Sequence, residues 1–292
     1  MILNCEKVAQ GMKDNLKEAL KHADIDPKLA LIKVGNDHAS SVYVRGKERA
    51  CEEVGIKTQT ILLDESITTD EVIMQIQELN NDNTVNGILL QLPLPDHIDE
   101  RAAINAISPI KDVDCLSATS VGCMMTNEDL VTPCTPDGIM RILRERNINL
   151  EGRNVLIINR SMLVGKPLVE LMQRENATVT LAHSKTGEEQ LKVYMAIADV
   201  IVTAVGKPNF INKETISEYQ ALRKESGRPP QIIIDVSMNR DENGKLCGDV
   251  NKELYEEENI FVTPVPKGVG LTTVAALLEN TAILAQIQDA LK

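Results

Sequence analysis

Three side chains that could move protons together lie near the start of a predicted helix. Ser40, Tyr43 and Lys47 follow one another at intervals of three and four residues, and residues at this spacing share one face of a helix. A hydroxyl, a phenol and an amine on one face can position a water molecule and relay protons. A solvated polar face is the plainer interpretation, and the spacing alone favours it.

Two further polar residues stand out from their surroundings. Gln91 interrupts the apolar run 87–92 and puts an amide at the carboxyl end of a predicted central strand, where open α/β sheets bind ligands. A buried amide needs partners, although this one could simply cap loop backbone. Asp114 ends the polar tetrad 111–114, and a carboxylate in a cleft can hold a nitrogen-rich ring by paired hydrogen bonds. A solvated turn is the alternative interpretation of the tetrad.

A second group of residues predicts a site for an anionic cofactor. The predicted strand 154–158 leads through a polar loop into a helix, where backbone N–H groups bind phosphate and where Arg160 and Lys166 add positive charge. Gly165 is the only glycine there, so the GxGxxG dinucleotide pattern is absent. The next strand ends at the segment 183–186, which offers hydroxyls and bases and no carboxylate for a free ribose 2′-hydroxyl. This composition favours a 2′-phosphate and therefore NADP over NAD.

Composition excludes several classes of function. The 292 residues include 31 basic and 43 acidic side chains, a net charge of −12, and only six aromatic residues. Such a chain does not bind nucleic acid through bulk charge or through base stacking. No apolar run approaches the roughly 18 residues of a membrane span, and no secretory signal is evident. The six cysteines form no CxxC pair, so we expect reduced thiols, no metal site and a cytoplasmic location.

The elements that must position these residues alternate along the chain. We expect strands at residues 29–34, 58–63, 87–92, 154–158, 177–182, 199–205, 231–236 and 260–262. We expect helices at residues 8–20, 41–54, 70–79, 136–146, 167–174, 188–198 and 272–288. This alternation predicts an α/β fold with right-handed βαβ units and mainly parallel sheets.

The order of the elements predicts two α/β domains. The turn-rich stretch 108–133 is expected to be the least structured, and it leads to a helix capped by Thr135 with Pro136 as its first residue. The final helix could cross back to the first domain. We therefore expect one domain from residues 1–138 plus 270–292, a second from 139–269, and a ligand cleft between them.

Taken together, these segments resemble the bifunctional methylenetetrahydrofolate dehydrogenase/methenyltetrahydrofolate cyclohydrolase family. The resemblance covers nearly the whole chain. Its marks are Ser40-x-x-Tyr43-Val44-x-x-Lys47, Gln91-Leu92-Pro93-Leu94-Pro95, Lys111-Asp112-Val113-Asp114, Pro133-Cys134-Thr135-Pro136, Arg160-Ser161-x-x-Val164-Gly165-Lys166-Pro167, His183-Ser184-Lys185-Thr186 and Thr263-Pro264-Val265-Pro266. It implies a folate-binding catalytic domain first, an NAD(P)-binding Rossmann-type domain second, and a homodimer.

The resemblance also implies the chemistry. Methylenetetrahydrofolate (the 5,10 form) would lose a hydride to NADP, with NAD possible, and water would hydrolyse the resulting methenyl cation to 10-formyltetrahydrofolate. By this analogy Lys47 is the catalytic amine, Tyr43 packs against the folate and orients Lys47, Gln91 bonds to Lys47, and Asp114 grips the pterin. The implied substrate-binding residues further include Ser40, Leu92, Gly268 and Leu271. The implied cofactor-binding residues are Asn159, Arg160, Ser161, Val164, Gly165, Lys166, Pro167, His183, Ser184, Val205 and Gly206.

The chain departs from the family at several sites. Cys115, Asn159, Ser237 and Lys267 stand where the family usually has glycine, and Leu271 and Thr272 replace a usual proline and methionine. Glycine at such sites allows a positive φ or close approach of a ligand, so a side chain there could narrow the cleft. Two rival hypotheses follow from these changes: a cyclohydrolase that has lost the dehydrogenase, and a non-catalytic protein that binds folate or nucleotide.

Overall fold

The computed structural model describes residues 1–216 and 228–292, without the side chains of residues 38–40. Contacts between residues divide the chain into two compact units. The first unit comprises Gln10–Cys134 and Val274–Lys292, and the second unit comprises Met1–Ala9 and Thr135–Thr273. These divisions fall within five residues of the boundaries expected at 138/139 and 269/270.

The amino-terminal segment belongs to the second unit, whereas the sequence placed it in the first. Ile2 pairs in parallel with Val262, and the Leu3 amide donates to the Val262 carbonyl at 2.8 Å. These bonds extend an edge strand of the second unit, which is why the segment lies with it.

The first unit is built on a three-stranded parallel sheet. Its strands are β1 (Lys28–Val34), β2 (Lys57–Leu63) and β3 (Gly87–Leu90), in the order β2-β1-β3. The helices that lie wholly or mainly in this unit are α1 (Cys5–His22), α2 (His38–Val54), α3 (Thr69–Asn81), α4 (Glu100–Asn105), α5 (Ala118–Met125) and α9 (Val269–Ala290). The β1 side chains from Leu29 to Ile32 are fully buried, as expected for a strand covered on both faces.

The strand that precedes Gln91 lies at an edge of this sheet, so the prediction of a central strand is wrong. β3 ends at Leu90, and among the described residues its outer side continues only in a single bridge between Ile88 and Asp112. The Gln91 amide still donates to the Ile32 carbonyl at 2.8 Å. Gln91 is therefore held at the carboxyl edge of the sheet, as expected, although its strand is not central.

The second unit is a doubly wound parallel sheet. Its strands are β4 (Asn154–Ile158), β5 (Thr178–Ala182), β6 (Val200–Thr203), β7 (Gln231–Asp235) and β10 (Ile260–Val262), in the order β10-β7-β6-β4-β5. Helices α6 (Cys134–Glu145), α7 (Gly165–Arg174) and α8 (Glu188–Ile197) belong to it, with a short antiparallel ribbon of β8 (Asn239–Arg240) and β9 (Leu246–Cys247). The chain order reverses between β4 and β6, and doubly wound sheets bind nucleotides outside the carboxyl ends of such strands.

The stretch 108–133 is more ordered than the sequence predicted. It holds a 3₁₀ turn at Pro109–Lys111 and helix α5, whose N-cap residue Ser117 accepts a hydrogen bond from the Ser120 amide. Helix α6 begins at Cys134, so Thr135 lies inside the helix and does not cap it. Neither α4 nor α5 was predicted, because both are too short to show a clear apolar period.

Helix α9 is long and apolar enough to cross a membrane by length and composition alone. Of its most apolar window, 56% is buried within the protein, and Leu278 and Leu284 are fully buried. A mostly buried core helix passes the same test, so this helix is no evidence for a membrane span.

Candidate active site

Lys47 and Gln91 meet in the first unit. The Lys47 ammonium Nζ donates to Gln91 Oε1 at 2.9 Å, and Gln91 Nε2 donates to the Leu92 carbonyl at 2.7 Å. The second bond fixes the orientation of the amide, so its oxygen points at the lysine. Gln91 therefore caps loop backbone and binds Lys47 at once, which unites the two interpretations of this residue.

Asp114 stands beside the same lysine. Burial lowers the pKa of Lys47, and the nearby charge of Asp114 opposes this shift. Burial raises the pKa of the Asp114 carboxyl, against the attraction of Lys47 and a hydrogen bond from the Cys134 thiol. Both shifts favour the neutral forms of the two groups, and perturbed groups of this kind are typical of sites that transfer protons.

The tetrad 111–114 is not a solvated turn. Lys111 is buried, and its Nζ donates to the carbonyls of Leu79 and Asp82, both at 2.8 Å. This cation satisfies the carbonyl end of α3, where the helix dipole favours positive charge. Asp112 is also buried, and its carboxylate accepts hydrogen bonds from the two backbone amides that lie four and five residues further along the chain. Two of the three charged side chains thus fix the loop, and Asp114 is left to face Lys47.

Asn280 on α9 secures this loop from the other side. Its Nδ2 donates to the Val113 carbonyl at 2.8 Å and to the Thr132 carbonyl at 2.7 Å. Sequence reasoning missed Asn280, although a polar residue in the apolar run of the last helix was a usable signal.

Helix α2 carries Tyr43 and Lys47 and is fixed at both ends. At its start the buried Lys33 donates to the Asp37 carbonyl at 3.0 Å and to Ser41 Oγ at 2.5 Å. At its end Gly55 adopts φ +92°, and its amide donates back into the last turn, which forms a glycine C-cap. Lys33 was also missed, although a lysine in the apolar strand 29–34 marks it.

The predicted Ser40–Tyr43–Lys47 face is described only in part. Tyr43 is 46% exposed and lies one turn before the partly buried Lys47. The side chain of Ser40 lies outside the described residues. The packing face of α2 carries Val44 and Cys51, whereas Val42 is 53% exposed.

The second unit contains a cavity of about 680 Å³ at the carboxyl ends of β4, β5 and β6. Six of the predicted cofactor-binding residues line it: Asn159, Arg160, Ser161, His183, Ser184 and Val205. The other five, Val164, Gly165, Lys166, Pro167 and Gly206, are not among its lining residues. This volume lies in the range of small-molecule sites, roughly 300–1,000 Å³.

Four backbone amides of the loop between β4 and α7 are bonded within the loop, and phosphate binding by this loop stays a prediction. Asn159 Oδ1 accepts the amides of Ser161 at 2.7 Å and Gly165 at 3.1 Å, and Ser161 Oγ accepts the amide of Val164. The Lys166 amide bonds to the Ser161 carbonyl. A Cβ on Gly165 would lie 2.0 Å from the Asn159 carbonyl oxygen. The glycine therefore lets α7 approach β4 closely.

Side chains are the groups that the cavity offers to an anion. Arg160 and Lys207 line it, and within the described chain neither forms an ion pair. Ser184 and Thr186 add hydroxyls, while His183 is held in its turn because its Nδ1 accepts the Lys185 amide. Apolar walls next to free cations and hydroxyls fit a nucleotide with a 2′-phosphate.

The remaining predicted substrate residues fall in different places. Leu92 is partly buried beside Gln91 in the first unit, whereas Gly268 and Leu271 belong to the second unit. A Cβ on Gly268 would lie 2.1 Å from the Pro264 carbonyl oxygen, so the loop needs glycine there. Lys267 Nζ lies 3.0 Å from Glu6 Oε1 in an exposed ion pair.

The first unit thus contains a cluster of side chains suited to proton transfer, and the second unit has the sheet and the cavity of a nucleotide-binding domain. Together the two units define a two-domain α/β nucleotide-dependent enzyme. Sequence profiles identify its kind. The profile described as tetrahydrofolate dehydrogenase/cyclohydrolase, catalytic domain, matches residues 3–114, and that of the NAD(P)-binding domain of the same family matches residues 133–289. The chain belongs to the tetrahydrofolate dehydrogenase/cyclohydrolase family.

Individual relatives agree with this assignment. The Bifunctional protein FolD of Bacillus mycoides is 45% identical over 284 residues, which cover 96% of this chain and 95% of that protein. The crystal structure of the bifunctional enzyme FolD from Campylobacter jejuni is 38% identical, with a TM-score of 0.89 over 98% of this chain and 99% of that chain. The Trypanosoma brucei enzyme, solved as a complex with NADP cofactor and inhibitor, is 30% identical, with a TM-score of 0.88 over 98% and 97%.

Proposed function

We propose that this chain oxidises 5,10-methylenetetrahydrofolate with NADP and hydrolyses the methenyl product to 10-formyltetrahydrofolate. The observation that carries the proposal is the group formed by Lys47, Gln91 and Asp114, with Lys47 Nζ 2.9 Å from Gln91 Oε1. Family membership and the cavity of the second unit support the same conclusion.

Lys47 is the group that moves protons in the hydrolytic step. Burial lowers its pKa, so a larger share of the amine is neutral and can act as a base. As the water oxygen bonds to the methenyl carbon, Lys47 takes one water proton and returns it to the ring nitrogen whose bond to that carbon breaks. The remaining hydroxyl proton is released to solvent as the formyl carbonyl forms. Gln91 keeps the amine in place, and the Asp114 carboxyl binds the pterin by paired hydrogen bonds. Tyr43 covers the folate.

The second unit binds the cofactor, which accepts the hydride in the dehydrogenase step. We assign Arg160 and Ser184 to the phosphate groups, because both line the cavity and Arg160 has no ion-pair partner in the described chain. The rival hypothesis of a lost dehydrogenase rested partly on Asn159 and Ser237. Both side chains bond to neighbouring loop groups, so neither fills the cavity.

Replacement of Lys47 by methionine tests the hydrolytic role. We expect Lys47→Met to lower methenyl hydrolysis by about 100-fold or more, since a positioned proton-transfer group contributes about 10²–10⁴. NADP affinity should stay unchanged. Hydrolysis is followed by loss of methenyl absorbance, with Lys57→Met, an exposed lysine on β2, as the control.

Hydrolysis that persists in Lys47→Met would contradict the role of this amine. A wild-type protein that reduces neither NADP nor NAD with methylenetetrahydrofolate would contradict the dehydrogenase half of the proposal.

We further propose that the protein is a cytoplasmic homodimer. All six cysteines are free, which suits a reducing compartment. In the described residues β5 is an edge strand of its sheet. The next helix along the chain, α8, carries Val193 and Ile197 one turn apart, and these side chains are 50% and 43% exposed. Apolar residues left on a helix face favour burial against a second copy.

The oligomeric state can be measured by size-exclusion chromatography with light scattering. We expect a mass twice that of the 32.1 kDa chain, and a monomer after the double substitution Val193→Asp and Ile197→Asp. A wild-type monomer at micromolar concentration would contradict the dimer.

A further inference from the structure

Asp249 is a fully buried carboxylate that accepts five hydrogen bonds. Its Oδ2 accepts from Thr203 Oγ1 at 2.8 Å, the Val205 amide at 2.7 Å and Ser237 Oγ at 2.8 Å. Its Oδ1 accepts from the Lys207 amide at 2.9 Å and Asn239 Nδ2 at 3.1 Å. The donors come from two separate stretches of chain, 203–207 at the end of β6 and 237–239 after β7, so one side chain ties the ends of these strands together.

The amides that converge on this carboxylate belong to a wall of the nucleotide cavity. Ala204, Val205 and Lys207 line the cavity. Between them Gly206 adopts φ +76°, and its amide donates to Ser237 Oγ at 3.1 Å. Three successive N–H groups thus point away from the cavity, toward Asp249 and the Ser237 hydroxyl, in the manner of a backbone nest around an anion.

Asp249 is itself held by a second buried carboxyl group. The Asp249 and Val250 amides donate to Asp235 at 3.1 and 2.8 Å, and the Ser237 amide donates to it at 3.2 Å. A Cβ on Gly248 would lie 1.9 Å from Asp235 Oδ2, so the chain approaches as closely as glycine allows. The position of the Asp249 carboxylate is therefore set by backbone contacts.

We propose that Asp249 and Ser237 are positioning residues that shape the cavity wall formed by residues 204–207, and so set the affinity for NADP without contacting it. The contribution of Ser237 is particular to this chain, because glycine usually stands at its position in the family and cannot bridge the Gly206 amide to Asp249. The inference rests on the proposed function, since it concerns the cofactor of the dehydrogenase.

Substitutions at Ser237 test the proposal in the full-length protein. Ser237→Ala removes the hydroxyl that bridges Gly206 and Asp249, and we expect it to weaken NADP binding about tenfold, as for the loss of one or two such hydrogen bonds. Ser237→Thr keeps a hydroxyl and should stay close to wild type. Binding is measured by calorimetry. Methenyl hydrolysis without NADP should stay within about twofold in both variants, since its residues lie in the first unit.

Hydrogen exchange adds a readout that does not depend on the cofactor. In the cofactor-free protein we expect faster exchange at the amides of 205–207 in Ser237→Ala than in Ser237→Thr, because the first variant releases the Gly206 amide. Asp249→Asn should weaken NADP binding more than Ser237→Ala does. If Asp249→Asn does not fold, the pair of Ser237 variants decides the question.

Unchanged NADP affinity in Ser237→Ala, with a wild-type protein that binds NADP, would overturn the inference and leave the proposed function intact. A wild-type protein that binds no NADP would overturn the inference together with the NADP-dependent half of the proposed function.

Discussion

Two residues occupy left-handed backbone where the family usually has glycine. Cys115 adopts φ 56° and Lys267 adopts φ 73°. This conformation costs a residue with a Cβ about 1–2 kcal/mol. The sequence raised positive φ as one reason for glycine at these sites, and the structure confirms that reason for both. Asn159 and Ser237 have no positive φ, and their side chains take loop hydrogen bonds instead.

Lys267→Gly should stabilise the protein, because glycine removes the strain at φ 73°. We expect the free energy of unfolding to rise by about 0.5–1 kcal/mol in urea denaturation. Lys267→Ala is the matched control, since it also loses the exposed pair with Glu6 but keeps the Cβ. Exposed pairs contribute little, so alanine should bring no gain. Equal stability of the two variants would contradict this account.

The sequence predicted the central residues of the site and missed those that hold them. The bond from Lys47 to Gln91 was expected from the resemblance, and the structure contains it. Asn280 reaches Val113 across 167 positions, and Asp249 reaches Thr203 across 46. Such contacts exist only once the chain has folded, so neither periodicity nor local spacing could reveal them.

At the scale of elements, clear hydrophobic patterns in the sequence predicted the strands, whereas short helices with a weak pattern were missed. All eight predicted strands are present with ends within two residues, because buried parallel strands are short apolar runs with sharp limits. Helices α4 and α5 were missed, although each begins with a cap: Asp99 accepts the Ala102 amide, and Ser117 accepts the Ser120 amide. A cap without an apolar period is too common in loops to predict a helix.

Helix α2 shows why element ends matter for the site. Lys33 donates to the Asp37 carbonyl and Ser41 Oγ at one end of α2, and Gly55 terminates the other. Lys47 lies between these two anchors. The position from which Lys47 bonds to Gln91 therefore depends on the contacts that hold both ends of α2. Catalytic side chains need supporting contacts of this kind to stay in their productive geometry.

At the scale of the whole molecule, pH should act on stability through a buried carboxyl group. Burial and the nearby charge of Asp249 raise the pKa of Asp235 to about 7, whereas an unfolded aspartate has a pKa of about 4. Between these values the folded chain holds more protons than the unfolded chain, so stability falls as pH rises and levels off above about pH 7.

Asp235→Asn should remove this dependence. We expect the unfolding free energy of wild type to fall relative to the variant by about 3 kcal/mol between pH 4.5 and 7.5, because most of the interval between the unfolded and folded pKa values lies in this range. Urea denaturation followed by circular dichroism at several pH values measures the difference. The amide also loses a hydrogen bond, but that loss is independent of pH. Parallel profiles for the two proteins would contradict the assignment.

The separation of the two sets of residues has a genetic consequence. Lys47, Gln91 and Asp114 are encoded before codon 135, while the residues that line the nucleotide cavity are all encoded between codons 135 and 273. Mutations that abolish only the redox reaction should therefore cluster in one uninterrupted stretch of the gene. A lineage that obtained its methenyl intermediate from another source could lose that reaction by drift there and keep hydrolysis under selection.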